Sequence, residues 1–223
     1  MSTMQKFDTP APISTVLDIP AGRIQFIAAD RADTTVQVLP ADTSNGRDVK
    51  VAEQTKVEYG DGVLRIESSA KNQFFGPSGS IEVTIQLPAG SRVEAKAASA
   101  EFRTVGRLGD VAFDSSRASI KLDEAASARL TTVDGDVSVG RLGGDAQIRT
   151  SRGDIQIAEA RRGTVVLATQ AGSISVRAAA GVSACLDAGT THGRISNGLK
   201  NDGAADLNIH ATTAHGDITA RSL

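Results

Sequence analysis

Hydrophobic and polar residues alternate along most of this chain, and the alternation is copied from one stretch to the next. The clearest copies are ARLTTVDGDVSV (residues 128 to 139) and AQIRTSRGDIQI (residues 146 to 157), which lie eighteen residues apart. Each copy has an apolar position, a polar corner that contains glycine, and two further apolar positions separated by one polar residue. Alternation with a period of two is typical of β-strands that bury one face.

Three apolar columns recur in four successive copies. The first column precedes the second by seven residues, and the third column follows the second by two. We expect residues of one column to stack on each other in space. The columns are Phe113, Leu130, Ile148 and Leu167; then Ile120, Val137, Ile155 and Ile174; then Leu122, Val139, Ile157 and Val176.

The second column extends from Phe102 to Ile218, with spacings of 18, 17, 18, 19, 21 and 23 residues. One strand-corner-strand unit cannot bury its own apolar face. Successive units stacked in register, about 4.8 Å apart, would bury every column and pair the backbone groups. The pattern therefore predicts an all-β fold, a β-helix-like β-solenoid of stacked repeats of about 18 residues. The alternative is a β-sandwich, because Asp-Gly and Gly-Asp pairs also mark hairpins.

The polar corners lie between the first and second columns. A glycine at equivalent corners indicates a backbone with positive φ or a close approach to the neighbouring turn. An acid follows several of these glycines, and such an acid commonly accepts hydrogen bonds from nearby backbone groups. The residues that we assign to structural corners are Gly135, Asp136, Gly153, Asp154, Gly172, Gly216 and Asp217.

The repeat predicts one β-repeat domain over residues 1–223. Residues 1–12 form a lead-in, residues 13–92 hold less regular strands, and residues 93–223 hold the regular repeats. The triplet Gly22-Arg23-Ile24 resembles the later corners, so the same architecture begins near residue 13.

Loops and breaks are predicted between the N-terminal strands. Residues 41–50 and 71–79 are predicted as loops, and residues 122–128 form at most one helical turn. Prolines close strands because they lack an N–H group, and the strand-closing prolines are Pro20, Pro40 and Pro88.

Composition narrows the function classes. A formal charge of −2 and a pI near 5.9 give no electrostatic reason for nucleic-acid binding. No apolar run reaches membrane-spanning length, and the first twenty residues lack the charged and apolar regions of a signal peptide. The single cysteine, Cys185, fits a reducing compartment. We therefore expect a cytoplasmic protein without membrane insertion.

The late histidines and the cysteine are the first candidates for chemistry. His192, His210 and His215 with Cys185 could bind zinc, and Cys185 with His192 could act as nucleophile and base. The usual close ligand spacings are missing, so we interpret the histidines as corner or surface residues. Cys185 falls where a small apolar residue belongs, which predicts a buried structural thiol. No metal site and no cofactor is predicted.

The corner acids are the second candidate. Stacked carboxylates of Asp136, Asp154 and Asp217 could bind Ca²⁺ or serve as the acid and base of a polysaccharide-cleaving β-helix enzyme. Ser173 and Arg194 interrupt this column along the chain, so backbone capping is the simpler interpretation.

Two further motifs are weaker. Ser68 to Lys71 matches the S-x-x-K motif of serine acylases, but it closes a strand and has no partner motif. Arginines in the connectors could bind an acidic partner or could equally be solvated; they are Arg107, Arg141, Arg161 and Arg162.

The segment Asn72-Gln73-Phe74-Phe75-Gly76-Pro77 is the candidate partner contact. Adjacent phenylalanines in an extended chain point to opposite faces, so at least one of Phe74 and Phe75 is expected to be exposed. Exposed aromatic residues often mark contact surfaces. The alternative is that the pair folds back over an edge of the solenoid.

The Gly-Asp-Ile type corners, with the opening FDTPAPISTVLDIPAGRIQFIAADRADTTVQVLP, resemble the bacterial β-strand-repeat family known as toastrack or "putative adhesin". The opening is especially similar to stand-alone actinobacterial members. The resemblance implies a non-enzymatic interaction or scaffold module linked to envelope-stress or regulatory proteins, without catalytic residues. We therefore expect a protein partner, or homo-oligomers formed through the solenoid ends. The alternative is a carbohydrate-binding or carbohydrate-cleaving β-helix protein.

Overall fold

The computed structural model describes residues 3–68 and 79–223, which form two compact units, residues 1–117 and 118–223. It contains one helix and many strands in the described ranges. The elements are β1 Thr3–Asp8, β2 Ser14–Ala29, β3 Asp33–Pro40, α1 Gly46–Gln54, β4 Thr55–Gly60, β5 Val63–Ser68, β6 Ile81–Pro88, β7 Arg92–Val105, β8 Arg107–Asp134, β9 Val137–Leu142, β10 Ala146–Arg149, β11 Ile155–Ala160, β12 Gly163–Ala171, β13 Ile174–Ala178, β14 Ala184–His192, β15 Ile195–Gly198, β16 Leu207–His215 and β17 Ile218–Ser222.

The first unit is organised around the long strand β2. The first half of β2 pairs with β5 and its second half with β6, while β7 runs parallel along its other edge. The change from β5 to β6 falls at Gly22, which has a φ of 143°. The corner predicted at Gly22-Arg23-Ile24 is therefore confirmed. Antiparallel strands complete the unit, because β4 pairs with β5, β3 with β6, and β1 with β3.

Two local predictions for this unit are wrong. Residues 41–50 were predicted as a loop, but α1 begins within them at Gly46. Asn45 caps this helix, because its side chain accepts a hydrogen bond from the Arg47 N–H. The sequence did not predict this helix because its signal is one N-capping residue, with no apolar periodicity beside it. Pro20 lies inside β2 at the bend instead of closing a strand. Residues 122–128 are extended within β8, in agreement with the prediction of at most one helical turn there.

Aromatic rings fill the core of the first unit. Phe26, Phe102 and Phe113 are buried, with ring centroids 5.8 Å apart for the first two and 4.4 Å apart for the last two. Small and β-branched residues surround them. Phe102 and Phe113 are stacked and Phe26 is tilted against Phe102, so these three rings supply much of the apolar volume at this place.

The second unit is a parallel solenoid in the register that the sequence predicts. Ile148 lies between Leu130 and Leu167, and Ile155 lies between Val137 and Ile174. Each rung of this solenoid is one strand before a glycine corner and one strand after it. The column residues of these rungs are at most 4% exposed, because each apolar side chain packs against the equivalent side chain of the neighbouring rung.

The last two rungs do not stack in chain order. The pair β16–β17 lies directly beside β12–β13, and the pair β14–β15 lies outside it, against β16–β17. The expectation that successive units stack successively is therefore wrong for these rungs. We call β14–β15 the end rung.

The glycine corners allow the rungs to approach closely. Gly135, Gly153 and Gly172 have φ values of 134°, 137° and 155°, which favour glycine. A Cβ atom on Gly153 would lie 2.2 Å from the carbonyl oxygen of Gly135, and one on Gly172 would lie 2.0 Å from that of Gly153. No side chain fits there, so the backbone of one rung rests directly on the next.

None of the helices in the described residues is long and apolar enough to cross a membrane.

The corner geometry predicts that Gly153→Ala strongly destabilises the protein. The new methyl group would collide with the Gly135 carbonyl and would force a positive φ on alanine, so we expect a loss of at least about 2 kcal/mol in the free energy of unfolding. Urea unfolding followed by circular dichroism measures this loss.

Gly189→Ala is the matched control. Gly189 lies in β14, and a Cβ atom there would meet nothing within 4 Å. We expect this change to leave stability within about 1 kcal/mol of the original protein. Equal losses for both variants would contradict the close-approach interpretation.

Candidate functional site

The predicted corner residues lie in one column of the second unit, where their polar groups bond to the next rung. Asp136 Oδ1 accepts from the Asp154 N–H at 2.8 Å, and Asp154 Oδ1 accepts from the Ser173 N–H at 2.7 Å. Asp217 Oδ1 accepts from the Arg194 N–H at 2.8 Å. These carboxylates cap backbone donors.

The glycines of the same column are also fully used. The N–H groups of Gly135, Gly153, Gly172 and Gly216 donate to carbonyl oxygens of the neighbouring rung at 2.8 to 2.9 Å. Threonine hydroxyls donate to the glycine carbonyls, for example Thr169 Oγ1 to Gly153 at 3.1 Å. The corner column therefore pairs the backbone groups of neighbouring rungs within the fold.

The structure explains why Arg194 interrupts the acids along the chain. In space the column reads Asp136, Asp154, Ser173, Asp217 and then Arg194, because the last two rungs exchange places. Each side chain before Arg194 accepts a hydrogen bond from a backbone N–H of the next rung. Among the described residues, no rung lies beyond that of Arg194.

The histidines separate into two environments. His192 and His215 are opposite each other in β14 and β16, with ring centroids 4.8 Å apart and planes 6° apart. His210 instead faces Asp187, with 3.2 Å between Nδ1 and Oδ2. Within residues 3–68 and 79–223, no three His, Cys, Asp or Glu side chains are grouped so as to hold a metal ion.

The predicted buried thiol is wrong. Cys185 is exposed, because its neighbour Ala184 takes the inward position with 1% exposure. Side chains alternate between the two faces of a strand, so a shift of one residue in the assignment turns Cys185 outward. Cys185 lies opposite Asn208, at the far end of β14 from His192.

The remaining candidates divide between paired residues and residues outside the described ranges. Arg141 and Arg161 form ion pairs with Glu124 and Glu159, both at 3.0 Å. Phe74 and Phe75, and Lys71 of the S-x-x-K motif, lie outside the described residues. The partner contact predicted at Phe74 and Phe75 therefore stays a prediction.

Several ion pairs lie on the surface of the first unit. Arg23 bridges Glu82 at 3.0 Å and Glu101 at 3.1 Å, and the hydrogen bond with Glu101 and the charges of both acids raise the pKa of Arg23. Hydrogen bonds from Arg31 and Lys6 lower the pKa of Asp33 to about 2. These ion pairs connect neighbouring strands of the first unit.

The end rung differs from the inner rungs in its backbone. In a parallel pair, both backbone groups of a residue face the same neighbouring strand, and alternate residues face alternate sides. The Leu207 N–H donates to the Ser183 carbonyl at 3.2 Å, which places the odd-numbered residues of β14 toward β16. The backbone groups of Leu186, Ala188 and Thr190 therefore face outward, where no other strand of the described chain pairs with β14.

The apolar columns also end there without a cover. Ile195 is 47% exposed, whereas Ile218, its neighbour in the adjacent rung, is 1% exposed. Leu186 and Ala188 are half-buried, although Ile209 beside Leu186 is buried. At the start of β14 the outward N–H of Ala184 donates to the Lys200 carbonyl at 2.9 Å. The unpaired part of the edge therefore runs from Leu186 to Thr190, beside partly exposed core residues. The sequence predicted an oligomer contact at a solenoid end but did not identify β14–β15 as that end, for which Arg194 in a column of acids was the available signal.

Parallel strand pairs stacked on glycine corners define a β-solenoid of the strand-repeat class. The chain belongs to the Toastrack DUF4097 family, whose profile matches residues 17–221. No curated protein is significantly similar to the sequence.

Comparison with solved structures gives one that supports the same fold. A "putative adhesin" from Bacteroides fragilis NCTC 9343 is similar with a TM-score of 0.60 and 12% identity, over 99% of this chain and 97% of that one. A "putative adhesin" from Parabacteroides distasonis ATCC 8503 has a TM-score of 0.48 and 15% identity, over 98% and 97%. A "putative cell adhesion protein" from Clostridium sporogenes ATCC 15579 has a TM-score of 0.43 and 13% identity, over the whole of both chains. At these identities, the first likeness shows the fold alone.

The capping role of Asp154 predicts different effects of two substitutions. Asp154→Ala removes the acceptor for the Ser173 N–H and should cost about 1 kcal/mol of stability. Asp154→Asn keeps an oxygen acceptor and should cost less than half as much. Urea unfolding of both variants measures the difference, and a parallel series with Ca²⁺ tests the metal alternative. Equal losses, or stabilisation by Ca²⁺ that both substitutions abolish, would contradict backbone capping.

Proposed function

We propose that this chain is a non-enzymatic β-solenoid scaffold that binds a protein partner at its end rung. The single observation that carries the proposal is the unpaired edge of β14 beside partly exposed core residues. A strand edge with free N–H and C=O groups is a template for another extended chain. Membership of the Toastrack DUF4097 family agrees with a binding role, because the similar Bacteroides protein is described as a "putative adhesin".

The strand β14 carries few of the features that block strand addition. Charged side chains, prolines and bulges usually protect exposed edges. The sequence of β14 is ACLDAGTTH, with Asp187 as its acidic residue and no lysine, arginine or proline. Arg194 stands beyond the corner, outside β14. We therefore assign the partner's strand to the outer edge of β14, at Leu186, Ala188 and Thr190.

The partner is an extended segment of protein chain. A second copy of this chain is one source of such a segment, as the predicted homo-oligomer requires. Because the family resemblance links these repeats to envelope-stress or regulatory proteins, we place the other source among proteins of such a system. We also place the protein in the cytoplasm, where the exposed thiol of Cys185 would stay reduced.

Affinity capture from the native lysate, read by mass spectrometry, tests this function with Ala188→Pro. Proline removes the outward N–H of residue 188 and is tolerated on an edge whose N–H faces away from the neighbouring strand. We expect the original protein to capture a specific protein that Ala188→Pro loses, while thermal unfolding remains nearly unchanged. Capture of a second copy, distinguished by a tag, would identify the partner as this chain.

Cys185→Ser is the matched control, because Cys185 lies on the same strand with its side chain outward and its N–H toward β16. This control should retain the partner. Phe74→Ala/Phe75→Ala tests the contact predicted from the sequence. Loss of the partner in that variant alone would place the partner contact at Phe74 and Phe75 instead of the end rung. Undiminished capture by Ala188→Pro would contradict the end-rung site.

A further inference from the structure

Two imidazoles meet on the solenoid surface where the end rung contacts the neighbouring rung β16–β17. His192 is the last residue of β14 and His215 the last residue of β16, and the parallel register places them opposite each other. Their rings are stacked at 4.8 Å and both residues are exposed. The sequence places these histidines 23 residues apart, so only the stacking of the rungs brings them together.

The surroundings leave room for an ion beside these rings. In β12, the residue opposite His215 is Ala171, which is small and exposed. Asp217 and Arg194, two residues beyond the histidines, form an ion pair at 3.8 Å and offset each other's charge. The nearby Arg194 charge is therefore offset by the Asp217 carboxylate.

Imidazole nitrogen is a preferred ligand of Zn²⁺, Ni²⁺ and Cu²⁺. Metal-nitrogen bonds are about 2.0 to 2.1 Å long, so two rings 4.8 Å apart need only side-chain rotation to share one ion. Exposed side chains have that freedom, and water completes the coordination. Two imidazoles held on neighbouring strands act as a chelate, because the first bond raises the effective concentration of the second.

We propose that His192 and His215 form a binding site for a divalent transition-metal ion. The two ligands come from different rungs, so the bound ion clamps β14 to β16. The end rung is paired along one edge only among the described strands, and it therefore gains most from this connection. An ion that binds the folded rung and not the separated strands raises the stability of the folded state. The site is independent of the proposed partner edge.

Calorimetric titration with Ni²⁺ tests the site, with all proteins in a Cys185→Ser background so that the thiol contributes nothing. We expect one ion per chain, and a loss of affinity of at least about tenfold in both His192→Ala and His215→Ala. His210→Ala is the matched control and should bind as the background protein does, because His210 faces Asp187.

Thermal unfolding with and without Ni²⁺ gives a second readout. The metal should raise the melting temperature of the background protein and of His210→Ala. It should leave the melting temperatures of His192→Ala and His215→Ala unchanged. All four proteins should have the same melting temperature without metal, within the small changes expected for exposed residues. Equal affinities in all variants, or a loss in His210→Ala as large as in His192→Ala, would overturn the proposal.

Discussion

The structure depends on backbone resting on backbone at the glycine corners. A carbonyl oxygen occupies the space in which the Cβ atom of Gly153 or Gly172 would lie, so the distance between rungs is fixed by main-chain atoms. That contact sets the register, and the register aligns the apolar columns. Hydrophobic burial then follows, because each Ile or Val meets an equivalent residue above and below. The glycines are thus required before the core residues can contribute.

The same corners account for most of the residues that resemble catalytic groups. Asp136, Asp154 and Asp217 are conspicuous in sequence because they recur, and they recur because every new rung brings a backbone N–H that needs an acceptor. Structural repetition can therefore imitate a catalytic ladder. What distinguishes the two is whether the carboxylates are already bonded within the fold. The functional surface is better sought where the repetition stops, which is the end rung.

The sequence predicts the repeat and fails where the repeat ends. The four-layer columns and the corner at Gly22 follow from periodicity, since identical spacing forces identical register. The order of the last two rungs does not, because Ile195 and Ile218 fit the same column equally well and only Arg194 differs. The face of Cys185 does not follow from the sequence either, because a shift of one residue along the strand exchanges the positions of Cys185 and Ala184. The helix α1 depends on one capping residue, Asn45, which no periodic signal accompanies.

The exchanged rungs have a consequence for biosynthesis. A solenoid whose layers follow chain order can grow during translation, each layer settling on the last as it leaves the ribosome. Here β14 and β15 are synthesised before the layer on which they rest, since β16 and β17 come later in the chain. At about 5 to 20 residues per second, the nascent chain passes through an interval in which its outermost layer has no support. Completion of this end of the molecule must therefore be a late step that vectorial growth cannot accomplish.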